Sequence, residues 1–133
     1  MAFEVRKHSK EEFYDVFSTW LDNHQFPRIH KDVLPENVFV CFKEEIPIYC
    51  IWTYFTDSKL MWIAWPASNK NVNHKQRIGG MEVLLEHVKN YAKRKGIMTL
   101  FTTSSTTSVV DSLTNTGFEV GDKNVNHFLF KFI

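Results

Sequence analysis

The chain has few residues with which disulfides or a metal could hold it together. Its 133 residues include two cysteines, Cys41 and Cys50. Both lie in apolar, strand-like surroundings without metal-ligand spacing, and they read as buried, reduced thiols of an intracellular protein. His24 and His30, six apart, fall on different faces of a helix, so they make no metal pair and no metal is expected. An excess of charge of one sign is also missing, with 16 Lys and Arg against 15 Asp and Glu. A nucleic-acid or anionic-membrane binder would carry a basic excess or stripe, so neither partner is expected. No apolar run approaches the ~20 residues that span a bilayer, and charge from Glu4 onward speaks against a signal peptide. A soluble, cytoplasmic protein is the expectation. With no low-complexity stretch and no boundary, residues 1–133 read as a single domain.

What is present builds a core. Apolar residues make up 44% of the chain and aromatics 15%, enough at this length to bury much of the surface without staples. Phe3 to Arg6 reads as a strand. Ser9-Lys10-Glu11-Glu12 is a capping box, followed by Phe13, Val16, Phe17 and Trp20 at helical spacing. Pro27 and Pro35 break Asp22 to Glu36 into a short helix or turn and a loop. Val38 to Lys43, Ile48 to Thr56 and Lys59 to Trp65 read as three strands joined at Glu44-Glu45-Ile46-Pro47 and at Asp57-Ser58. Pro66 to Lys75 is a polar, Asn-rich loop. Met81, Leu84, Leu85, Val88, Tyr91 and Ala92 form one stripe of a helix that Gly96 ends. Ile97 to Thr103 is strand-like, and Val109 to Gly117 a short helix. Phe118–Val120 and Val125–Phe132 would close the chain as a hairpin with Phe128, Phe130 and Phe132 on one face. The order β-α-α-β-β-β-α-β-α-β-β describes an α+β, mixed α/β fold, its sheet flanked by helices. The aromatic last strand offers an edge to a second copy, so a homodimer is one expectation.

The stretch Gln76-Arg77-Ile78-Gly79-Gly80-Met81 opens the clearest helix. Unpartnered N–H groups at a helix start, on the positive end of its dipole, make a socket for phosphate or pyrophosphate. Lys70, Lys75 and Arg77 add positive charge in front of it. His74 could grip a phosphate or simply be solvated.

In this pattern the chain resembles the GCN5-related N-acetyltransferase (GNAT) superfamily. The element order fits over almost the whole length, and the detailed match covers roughly Trp62 to Phe118. Gln76-x-x-Gly79-x-Met81 sits in the register of the family's acyl-CoA signature, Gln/Arg-x-x-Gly-x-Gly/Ala. Leu84 to Gly96 resembles the helix that follows, and Thr106 to Gly117-Phe118 the short helix ending in Gly-Phe. The resemblance implies a mostly antiparallel, twisted sheet in which Lys59–Trp65 splays from Ile97–Thr103. Backbone groups of Ile63, Ala64 and Trp65 would pair with the pantetheine arm of acetyl-CoA. Residues Gln76, Arg77, Ile78, Gly79, Gly80 and Met81 would hold its pyrophosphate. A primary amine of a small molecule or peptide would then attack the thioester directly.

Four departures accompany the match, the first being Asn71-Val72-Asn73-His74 before Gln76, where the family usually has a proline-containing approach. Met81 stands where the family has a small residue, and Leu113 where a tyrosine often protonates the leaving thiolate. Lys59 to Trp65 lacks the acid that many members carry. The weak catalytic candidates left are Ser112 and His127. Two functions follow: an acyl-CoA-dependent N-acyltransferase, or a GNAT-like binding or structural module that has lost catalysis and still holds CoA. Asp22, Asp32 and Glu36 would favour a cationic amine, or form the solvated face of a loop. Phe26 would shape substrate access or pack in the core. Trp62 and Trp65, three apart on a strand, should face opposite sides.

Overall fold

A computed structural model of the chain describes residues 2–132. Its elements are β1 (Phe3–Ser9), α1 (Lys10–Asn23), β2 (Asn37–Lys43), β3 (Ile46–Phe55), β4 (Leu60–Ser68), α2 (His74–Arg77), α3 (Gly80–Arg94), β5 (Thr99–Phe101) and α4 (Thr107–Asn115). The strands form one sheet in the order β1-β2-β3-β4-β5, antiparallel throughout except for the parallel pair β4–β5. The α+β sheet expected from the sequence is therefore present.

Local chemistry sets the elements. Ser9 starts α1 with the capping box in full, its Oγ accepting from the Glu12 amide at 3.2 Å while Glu12 Oε1 accepts from the Ser9 amide at 2.8 Å. Glu44 and Glu45 both take positive φ (52° and 67°), the geometry of a two-residue hairpin turn. Glu45 is also held by two hydrogen bonds from Arg6.

The sheet is covered on both faces. On one, α1 packs Phe13, Phe17, Trp20 and Leu21 against Val38, Val40, Cys50 and Trp52. On the other, Leu84, Leu85 and Val88 of α3 pack against Phe39, Cys41, Ile51, Met61 and Ile63. Tyr91 and Ala92 belong to this second core. The two thiols thus lie on opposite faces of the sheet, which excludes a bridge between them.

The chain's end differs from the sequence reading. The expected strands Phe118–Val120 and Val125–Phe132 are absent, and residues 118–132 carry no regular structure. Alternation predicts which side chains share a face but needs a neighbouring ladder to hold the strand. Here β5 has three residues instead of the seven expected, and Phe128 stands 88% exposed. The second expected helix is reduced to one 3-10 turn at Lys31–Val33. The polar loop, conversely, contains α2, started by Asn73 accepting from the Gln76 amide at 2.9 Å.

Candidate functional site

Strands β4 and β5 run together for three residue pairs, Leu60–Thr99, Met61–Leu100 and Trp62–Phe101. Beyond them β4 continues to Ser68 while β5 ends. Among the described residues no strand pairs with that side of β4, so the backbone at Ile63, Ala64 and Trp65 has a strand neighbour on the β3 side alone. The same place carries a bulge. The β3–β4 register shifts between Cys50 and Trp52, and Trp65 takes φ +53°. Pro66, which has no N–H to give a ladder, sits inside this irregularity.

The bulge corrects the expectation for the tryptophans. An extra residue changes the alternation, so Trp62 and Trp65 share one face with ring centroids 6.2 Å apart. Tyr54 completes the group. It stacks on Trp62 at 4.8 Å, accepts a 2.7 Å hydrogen bond from Trp65 Nε1 and donates to the Val33 carbonyl at 3.0 Å. Burial raises the Tyr54 phenol's pKa, against the opposing pull of the Trp65 N–H, so the hydroxyl keeps its proton at neutral pH. Sequence reasoning missed Tyr54: a two-residue turn at Asp57-Ser58 would set it across from Met61, and the longer connection between Phe55 and Leu60 sets it across from Trp62.

The glycine loop precedes α3 as expected. Gly79 is the N-cap with φ +85°, and no side chain caps the helix start. The first amide bonded back is that of Val83, to the Gly79 carbonyl at 3.2 Å. The N–H groups of Gly80, Met81 and Glu82 therefore lack intrahelical acceptors. Arg77 Nε is buried without a partner, while Lys75, Gln76 and Ile78 are exposed. Lys70 instead donates to the Asn23 carbonyl. Met81, which stands where the family has a small residue, is 6% exposed and belongs to the core. Gly80 lies against β3, where an added Cβ would stand 3.1 Å from the Tyr49 ring.

The two weak catalytic candidates fall in different places. Ser112 is buried and donates to Glu82 Oε1 at 3.1 Å, joining α4 to the first turn of α3. His127 is exposed in the irregular terminal segment. Leu113 packs against the α3 core. Phe26 is 56% exposed, which overturns core packing. Of the loop acids, Asp22 takes two hydrogen bonds from Arg28 and Glu36 lies 4.0 Å from Lys10 of α1, while Asp32 is exposed with only His30 nearby. His24 contacts Ser68, and no group of metal-ligating residues occurs among the described residues. Burial pushes the Cys41 thiol up to about 12 and raises Cys50 further. Neither is a ready nucleophile.

No protein-family profile and no curated protein matches the chain. Solved structures do. An aminoglycoside acetyltransferase from an uncultured soil metagenomic sample, in complex with trehalose, superposes with a TM-score of 0.72 at 14% identity, covering 98% of this chain and 97% of that one. AAC(6')-Iy, bound to a bisubstrate analogue of CoA and acetylneamine, gives 0.69 at 12% identity over 98% and 100%. A probable acetyltransferase from meticillin-resistant Staphylococcus aureus gives 0.66 at 11% over 97% and 100%. Such identities speak for a shared fold.

Proposed function

We propose that this chain, whose fold is that of the GNAT acetyltransferases, transfers an acyl group from acetyl-CoA to a primary amine. The observation that carries the reading is the split beside β4, with its bulge at Trp65, in a chain that also leaves the start of α3 uncapped. An open strand edge offers peptide-like groups to the amides of a pantetheine arm. The free N–H groups at Gly80 to Glu82, with the half-buried Arg77 side chain adding positive charge in front of them, suit a pyrophosphate. Gln76 and Ile78 are solvent-accessible beside them, whereas Met81 contributes its backbone alone.

The chemistry is direct transfer. The neutral amine attacks the thioester carbon, the tetrahedral intermediate expels the thiolate, and the amine's proton leaves through water. A thiolate with a solution pKa of about 8.5 is a good leaving group and needs no dedicated acid. This suits a site where Leu113 packs against the core and Ser112 is engaged by Glu82. The same two facts favour the second reading, a module that holds CoA without turnover.

Titration with CoA and acetyl-CoA tests both readings. Saturating ligand at 100 Kd should stabilise the fold by ~2.7 kcal/mol, and no melting shift at millimolar acetyl-CoA would sink both. Gly79→Val should weaken CoA binding at least about tenfold, because a β-branched residue resists φ +85°. Free-thiol release above buffer hydrolysis, with any amine, then separates enzyme from module.

A further inference from the structure

We infer that the amine is held by an aromatic ledge made of Tyr54, Trp62, Trp65 and Phe101, and that the acceptor is a primary amine on a flat apolar body, an arylalkylamine. The inference rests on the acyl-transfer reading for where the amine must sit. Tyr54, Trp62 and Phe101 are register partners across β3, β4 and β5, so their rings form a row on one face. Trp65 joins the row through the bulge. The ledge therefore lies where β4 parts from β5, beside the expected thioester.

Its chemistry selects a ligand. The Tyr54 hydroxyl is occupied on both sides, by Trp65 Nε1 and by the Val33 carbonyl, so the phenol fixes geometry and leaves ring surface for contact. Phe101 is 51% exposed. Trp62 is half-buried, so part of its indole ring is open to contact. A polycation such as a polyamine needs several free carboxylates. Of the three acids on the adjoining segment, Asp22 and Glu36 face Arg28 and Lys10, and Asp32 alone has no lysine or arginine partner, one carboxylate for one ammonium. Aromatic faces instead stack on a planar ring and attract a single ammonium.

The test uses the full chain with phenethylamine, spermidine and sisomicin, followed by calorimetry and tryptophan fluorescence with and without CoA. Phenethylamine should bind saturably, at least about tenfold tighter than either polycation. Trp62→Ala should lose that binding about tenfold or more while keeping the CoA-induced melting shift. Because Trp62→Ala can disturb the sheet, Phe101→Ala serves as a second variant at a half-exposed site and should weaken phenethylamine about threefold or more. Equal or tighter binding of a polycation, or phenethylamine binding unchanged in Phe101→Ala, would overturn the inference. Failure of CoA to bind would instead overturn the acyl-transfer reading, since amine binding is read without it.

Discussion

At the scale of single residues, neighbouring glycines do different work. Gly79 supplies a positive φ, whereas Gly80 supplies closeness: its Cβ would meet the Tyr49 ring at 3.1 Å and Ile48 Cδ1 at 3.2 Å. Gly80→Ala should therefore lower stability by about 1–2 kcal/mol through overpacking, measurable by chemical denaturation. The thiols give a second test at this scale. A thiol reagent should find no reactive cysteine in the folded protein and two after denaturation, since both are buried and their ionisation is suppressed.

His87 gives the third. Burial, with the Arg94 charge behind it, lowers its imidazole pKa. The unfolded chain then binds the proton at a higher pH than the folded one. The stability His87 contributes is present above the ordinary value of about 6.5 and is lost as pH falls toward the folded value. Melting temperature should drop between pH 7 and pH 5.5, and His87→Gln should flatten that slope. An unchanged slope would remove His87 as the cause.

At the scale of elements, the start of α1 was legible because it is decided within four residues, whereas the start of α2 at Asn73 was not read. The capping box at Ser9 decides α1, and Ser9→Ala should cost about 1 kcal/mol, read as a shift in denaturation midpoint at constant slope. Helix stripes were legible for a similar reason, as in Met81 to Ala92. Strand ends were less so. The extension of β4 through Pro66 depends on a bulge, and the sequence carries no period for a bulge. That single irregularity decided which way Trp65 points. It turned two tryptophans expected on opposite faces into neighbours and, with Tyr54, made a surface that period-two reasoning could not anticipate.

At the scale of the whole molecule, the terminal segment stands apart from the two cores. Phe128, Phe130 and Phe132 are almost fully solvent-exposed, so deleting residues 121–133 should change folding stability by no more than about 0.5 kcal/mol. A larger loss would mean that the segment is bound in solution, on its own chain or on a second copy. Comparing melting curves and sedimentation of the full and shortened chains distinguishes the two.

Composition, capping and the helical stripe determined on their own the domain class, the order of most elements and the loop that opens α3, because each is set by neighbours in sequence. The acyl-CoA reading came from resemblance around that loop, where Gly79 takes a left-handed φ. Tertiary structure alone decided the rest. Met81 joined the core between α3 and the sheet, Leu113 packed against that core, and Ser112 turned to Glu82 where α4 meets α3. Tyr54 met Trp62 and Trp65 through strand register and a bulge, both of which depend on how separate strands pair.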